Sequence, residues 1–233
     1  FPRAAIIAGR LDVVPHTGST NADLLAAVAG EPDAYPHLSV LVTDDQRAGR
    51  GRLDRTWTAP AGAALAISVL VRVPGIRTER RGWVPLIAGA AMTLAIRGLF
   101  APPNEGDGSR VALKWPNDVL IDGAKVCGIL SQMVPGQPDA IVVGAGVNTL
   151  MTPEQLPVPT ATSLAIAGAH VDADRLLADY LSALDRMLAA AASADAFARV
   201  RTEVRGVCAT LGRQVRVMLP DERTLEGRAT GLD

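Results

Sequence analysis

Aromatic residues are scarce, with Phe, Trp and Tyr at 3% of 233 residues. The core must therefore rest on Ala, Val, Leu and Ile. The three histidines, His16, His37 and His170, are scattered, which argues against a histidine triad or a histidine metal cluster. The two cysteines, Cys127 and Cys208, lie far apart and in no CxxC spacing. That excludes a zinc knuckle or disulfide framework and reads as reduced thiols. An excess of one charge is also missing. Lys+Arg 23 against Asp+Glu 24 leaves a net charge of -1, so no global field draws the chain to nucleic acid or an anionic membrane. Phosphate recognition must come from local clusters. No apolar run is long enough to span a bilayer. The short run Ala4 to Ala8 has no basic segment before it, unlike a signal peptide. The expectation is a cytoplasmic protein.

What is present is 48% hydrophobic residues, enough for one main domain with room for a small second one. Strands are expected at Leu11 to Val14, Leu38 to Thr43, Ala64 to Val73, Val111 to Trp115, Val119 to Asp122, Lys125 to Val134 and Ala140 to Val147. The last should end in a Gly144-Ala145-Gly146 bend. Asp122-Gly123 has hairpin chemistry. Helices are expected at Asn21 to Ala29 with Ser19 or Thr20 as cap, at Trp83 to Leu99, at Asp172 to Ala191 with Asp172 as cap, and at Ala194 to Val204. Thr43 to Thr58, Ala101 to Arg110 and Thr152 to Thr160 read as loops. After Gly206 the pattern changes to two alternating strands, Gln214 to Leu219 and Thr224 to Thr230, around Pro220-Asp221-Glu222. This resembles the start of a small β-barrel that the sequence, ending at Asp233, does not complete. Strands and helices interleave without a regular βαβ beat, so the fold class is α+β with a mixed sheet.

Four segments carry candidate chemistry. Gly49-Arg50-Gly51-Arg52, with Arg55 and Trp57, combines glycines that free backbone N–H groups for an anion with guanidinium forks and a stacking face. A solvated basic loop or an RNA-binding patch would look the same. Lys114-Trp115-Pro116-Asn117-Asp118 is a turn by its Pro-Asn-Asp chemistry. A plain hairpin needs neither its lysine nor its carboxylate, and Asp118 could hold Mg²⁺. Lys125 opens an apolar strand, where an ammonium either pairs with an anion or reaches back to water. Gly144-Ala145-Gly146-Val147-Asn148 is no GxGxxG fingerprint.

In this order, the segments resemble the catalytic domain of biotin–protein ligases. The likeness rests on Gly18-Ser19-Thr20-Asn21, Thr43-Asp44-Asp45-Gln46, Ala48 to Arg52 with Arg55 and Trp57, Lys114 to Asp118, Lys125 to Leu130 and Gly144 to Asn148. It implies a mixed sheet flanked by helices, like the class II aminoacyl-tRNA synthetase core, over residues 1–206. An SH3-like barrel would begin at residues 207–233. The first of these segments starts close to residue 1, so the implied type is the ligase without an N-terminal DNA-binding winged helix.

The implied activity is ATP-dependent formation of biotinyl-5′-AMP and transfer of biotin to a lysine of a biotin carboxyl carrier domain of acetyl-CoA or acyl-CoA carboxylase. The implied form is a monomer or homodimer that binds neither DNA nor membrane. The resemblance assigns Ser19, Thr20, Asn21, Gln46, Gly49, Arg50, Lys125, Gly128 and Gly144 to biotin. It assigns Arg52, Arg55, Trp57, Lys114, Asn117 and Asn148 to ATP, and Asp118 to Mg²⁺. The reaction itself would fall to Lys125, Arg50, Arg52 and Asp118. Three positions depart from the family pattern: Asp54 for glycine, Ala64 for an amide and Gln132 for an acidic residue. A lipoate or octanoyl ligase is the rival within the same core. A nucleic-acid-binding repressor using the arginine loop is the rival of another class.

Overall fold

The computed structural model describes residues 1–53, 55–100, 109–218 and 223–232. The element order is α1 (Pro2–Ile7), β1 (Arg10–Val13), α2 (Thr20–Gly30), β2 (Ser39–Thr43), β3 (Gly49–Arg50), β4 (Thr56–Trp57), β5 (Ala64–Arg72), α3 (Val84–Arg97), β6 (Val111–Lys114), β7 (Asp118–Ile121), β8 (Ala124–Val134), β9 (Gln137–Asn148), α4 (Ala173–Ala192), α5 (Ala194–Val207), β10 (Gln214–Met218) and β11 (Thr224–Arg228). Seven strands form one sheet in the order β1-β2-β5-β9-β8-β7-β6. Only β1 and β2 run parallel; the remaining pairs are antiparallel. The expected mixed α+β sheet flanked by helices is what forms.

Helices cover both faces. One face carries Val40, Val42, Ile67, Val69, Val143 and Ala145, which pack with α3 and α4 in the main core. α3 is apolar all round and almost wholly buried, as a helix sandwiched between sheet and helices must be. α4 is amphipathic, and its buried stripe Leu177, Leu181, Leu184 and Leu188 faces inward. Each such side chain, fully buried, contributes roughly 1.5–3 kcal/mol. The other face carries Leu41, Leu70, Ala140 and Val142 under Leu24 and Val28 of α2. α2 covers only part of that face. No helix among the described residues is long and apolar enough to cross a membrane.

Local chemistry sets the element ends. Asp172 accepts from Arg175 N at 2.9 Å and so caps α4. Asp122 and Gly123 both adopt positive φ, +49° and +84°, which is the hairpin turn expected there. The six-residue α1 was not expected. It persists because Asp174, on α4, accepts from Arg3 N and Ala4 N at 3.1 and 3.0 Å. That helix is too short to show a period in sequence.

Two further expectations are corrected. Gly144-Ala145-Gly146 makes no bend: β9 runs straight through it, because Gly144 and Gly146 are paired to Ser68 and Ala66 on one side and to Leu130 and Gly128 on the other. The stretch from Thr43 to Thr58 is not wholly loop, since β3 and β4 pair within it. Strands of two residues are too short to print an alternation. At the C-terminal end, β10 and β11 form a separate two-stranded antiparallel sheet. Asp54, most of the 101–110 loop, the turn at 220–222 and Asp233 lie outside the described residues.

Candidate functional site

The open part of the sheet beside α2 is the floor of a cleft of about 810 Å³. Its depth comes from small residues at one cross-strand level. Ala66, Gly146, Gly128 and Asp118 sit side by side on β5, β9, β8 and β7. The next level on the same face is Ser68, Gly144 and Leu130. Without side chains on β9, a ligand can approach the backbone itself. A Cβ at Gly144 would lie 2.8 Å from Asn21 Cγ, and one at Gly146 would lie 2.7 Å from Trp57 Cε2. The two glycines therefore make room for Asn21 at one end and Trp57 at the other.

The Asn21 end is lined by neutral polar groups. Ser19 caps α2, which puts Thr20 and Asn21 on its first turn against the sheet. Thr20 N donates to Gln46 Oε1 at 2.9 Å, and Thr20 Oγ1 lies 3.1 Å from the same oxygen. Ser68 Oγ lies 2.8 Å from Thr20 Oγ1 and 2.6 Å from Asn21 Oδ1. Asn21 Nδ2 donates to Leu130 O at 3.2 Å and to Gln132 Oε1 at 2.9 Å.

At mid-cleft, Lys125 Nζ pairs with Asp118 Oδ1 at 2.6 Å. In a regular strand Lys125 and Gly128, three residues apart, would face opposite sides of the sheet. The register between β7 and β8 shifts after Val119, so that Val126 has no opposite number. This irregularity reverses the parity and brings the Lys125 ammonium over Gly128, 3.2 Å from where a Cβ would stand. Asn117 is fixed in the same hairpin: its Nδ2 donates to Ile129 O at 2.8 Å, and Arg52 Nη1 donates to its Oδ1 at 3.3 Å.

The arginine loop forms the roof. β3 and β4 pair Gly49 with Trp57 and Arg50 with Thr56. The ladder turns the Trp57 ring onto Gly146. Arg50, Arg52, Arg55, Lys114 and Lys125 all line the cleft, and Asp118 is the one acidic residue among the described lining. Arg50, Arg52, Arg55 and Lys114 make no ion pair among the described residues. A chain of net charge -1 thus concentrates positive charge at one cleft, which draws anions there.

The expected residues Ser19, Thr20, Asn21, Gln46, Gly128, Gly144, Asn117 and Asp118 therefore come together with these cations and Trp57. Gly49 and Asn148 do not line the cleft. Gly49 is buried in the β3–β4 ladder, where a Cβ would sit 2.6 Å from Trp57 O. Asn148 is buried, with its Nδ2 on Thr162 O at 2.9 Å. Sequence reasoning missed Ser68, Thr210, Arg213 and Arg216, which reach the site from β5 and the C-terminal segment. Ser68 is the single polar side chain in the apolar run Ala64 to Val71, the one signal available. Cys127, next to Gly128, faces the core; burial pushes its thiol up to about 12, so it is no nucleophile here. No group of three or more His, Cys, Asp or Glu among the described residues could hold a metal by itself.

Comparison with known proteins places the chain by family and fold. The model of the biotin/lipoate A/B protein ligase family matches residues 20–148. The chain is 39% identical over 225 residues to a biotin–[acetyl-CoA-carboxylase] ligase of Mycobacterium tuberculosis, covering 96% of this chain and 80% of that protein. It is 33% identical over 143 residues to the bifunctional ligase/repressor BirA of Bacillus subtilis, covering 59% of this chain and 42% of that protein. A biotin protein ligase from Aquifex aeolicus, solved in complex with biotin and ATP, superposes with a TM-score of 0.77 at 25% identity over 97% of this chain and 88% of that one. With a family model spanning more than half its length and a relative of this identity across nearly all of it, the chain belongs to the biotin/lipoate A/B protein ligase family.

Proposed function

We propose that this chain is a biotin–protein ligase that makes biotinyl-5′-AMP from biotin and ATP and passes biotin to a lysine of a carrier domain of acetyl-CoA carboxylase. The observation that carries this reading is the convergence of Arg50, Arg52, Arg55, Lys114 and Lys125 on one cleft with a backbone floor. In the first step the biotin carboxylate attacks the α-phosphorus of ATP and pyrophosphate leaves. Two anions must meet, so the protein's work is positioning and electrostatic stabilisation. Lys125 and Arg50 hold the carboxylate end of biotin, Arg52 and Arg55 the phosphates, and Trp57 the adenine face. The neutral polar end beside Asn21 holds the ring.

Mg²⁺ fits this donor set, because it takes one or two carboxylates and completes its shell with water and substrate phosphates. Asp118, with Asn117 beside it, would hold it there. Mg²⁺, when bound, supplies positive charge for the phosphates. In the second step the carrier lysine attacks the acyl carbon and AMP leaves. That amine, of ordinary pKa about 10.4, must first lose a proton. We assign the reaction to the cytoplasm, in keeping with the two free cysteines.

The test is biotin-dependent ATP–pyrophosphate exchange, followed by transfer of biotin to an isolated carrier domain. Exchange driven by lipoate and not by biotin would overturn the reading in favour of a lipoate ligase.

A further inference from the structure

The ring end of the cleft contains a hydrogen-bond chain in which one proton order serves both of its shortest contacts. The Leu130 carbonyl can only accept, so the group of Asn21 facing it is the amide nitrogen, Nδ2. That fixes Oδ1 toward Ser68, and the single Ser68 proton must go to Asn21. Ser68 Oγ can then only accept from Thr20, so the Thr20 hydroxyl proton goes to Ser68. Gln46 Oε1 is left with the Thr20 backbone N–H. Any other order sets two lone pairs against each other at the 2.8 Å or the 2.6 Å contact, whereas this one leaves only the wider 3.1 Å contact between Thr20 Oγ1 and Gln46 Oε1 without a proton.

Once the chain is ordered, Thr20 and Asn21 have no proton left for a ligand. Both N–H bonds of Asn21 are engaged by Leu130 and Gln132, and the Thr20 hydroxyl is engaged by the fully buried Ser68. What they present is lone pairs.

We propose that Ser68 and Gln132 are positioning residues: acting through Thr20 and Asn21, they make this end of the cleft an acceptor surface that selects a ring bearing N–H donors. The class selected is the cyclic urea, whose N–H groups complete the chain. A dithiolane ring has no donor to offer, and a cyclic carbamate would set its ring oxygen against a lone pair. A site built to bond an N–H rejects the analogue lacking it, because its own polar groups are left unpaired. This inference rests on the biotin reading and deepens it.

The test is calorimetric titration of the full chain with biotin and with the biotin analogue in which one ring N–H is replaced by oxygen. The unaltered chain should prefer biotin by about tenfold or more. Ser68→Ala and Gln132→Leu should each shrink that ratio several-fold, whereas Gln132→Glu, which keeps an acceptor for Asn21, should retain it. A merely structural role for Gln132 would not separate Leu from Glu. If Ser68→Ala does not fold, the exposed Gln132 variants carry the test. Equal ratios in the unaltered chain and in Gln132→Leu would overturn the proposal while leaving the ligase reading in place. So would an unaltered chain that binds both ligands alike. An unaltered chain that binds no biotin would overturn both.

Discussion

Lys125 and Asp118 meet at 2.6 Å across neighbouring strands, and they do so because one extra residue in β8 swings Lys125 onto the face that Asp118 already occupies. The pair puts an ammonium and a carboxylate at the centre of a cleft otherwise rich in guanidinium groups.

Lys125→Ala should slow adenylate formation by on the order of 10²-fold or more, the usual cost of removing one preorganised electrostatic stabiliser. Single-turnover formation of biotinyl-5′-AMP measures this directly. An unchanged rate would remove Lys125 from the reaction.

The two glycines of β9 should separate by substrate. Gly144→Ala forces a methyl group against Asn21, and Gly146→Ala forces one against the Trp57 ring. The first should weaken biotin binding about tenfold or more and the second should chiefly raise the KM for ATP. Binding and steady-state measurements on both variants would reveal the cross-over. Equal effects on both substrates would deny the division of the cleft.

The roof should respond to ligands. Between β3 and β4 the described amides of the arginine loop bond only within the loop, Gly51 N to Arg55 O at 2.6 Å and Arg55 N to Arg52 O at 3.3 Å, and segments tied only locally open at low cost. Hydrogen exchange there should slow when biotin and ATP are added together. Exchange equally fast in both states would mean that this segment does not close over the adenylate.

The start of α4 should be sensitive to acid. The Asp172 carboxyl is held below the usual carboxylate range, first by the Arg175 backbone N–H and then by Arg3. A carboxylate with a lowered pKa stabilises the fold above its unfolded pKa of about 3.9, and that stabilisation is lost as pH falls through the lowered value. Asp172→Ala should therefore cost about 1 kcal/mol at neutral pH. The gap from the unaltered chain should narrow below pH ~4. Denaturant unfolding at pH 7 and pH 3 would show a constant gap if the cap were neutral in effect.

Cys127 should resist alkylation. Its thiol is pushed up to about 12 by burial, so the thiolate is rare near neutrality and the sulfur is also shielded. Iodoacetamide at pH 8 should label it only after unfolding, as peptide mapping would report. Rapid labelling of the native chain would contradict its place in the core.

Much of this was legible in the sequence because it was local or periodic. The apolar runs of β2, β5, β8 and β9, the Ser19 and Asp172 caps, the Asp122-Gly123 turn and the cationic loop all follow from residues close in the chain. What escaped depends on distant partners. α1 is held by Asp174, some 170 positions away, and no local pattern announces that. The glycines of β9 look like a bend in sequence; only their neighbours on two sides make them a floor. Asn148 carries the right residue type for a ligand contact, yet its amide is engaged by Thr162. Ser68 was hidden in an apolar strand, where a single hydroxyl reads as tolerated rather than required.

The small C-terminal sheet is tied to the site by the backbone. Ala209 N donates to Leu113 O at 2.8 Å, and Trp115 N donates to Thr210 Oγ1 at 2.9 Å. Both bonds land at the end of β6, immediately before the hairpin that carries Asn117 and Asp118. The two-stranded appendage is therefore coupled to the Asn117-Asp118 end of the cleft like a handle to a latch: lifting it away would break bonds at the strand from which that hairpin hangs.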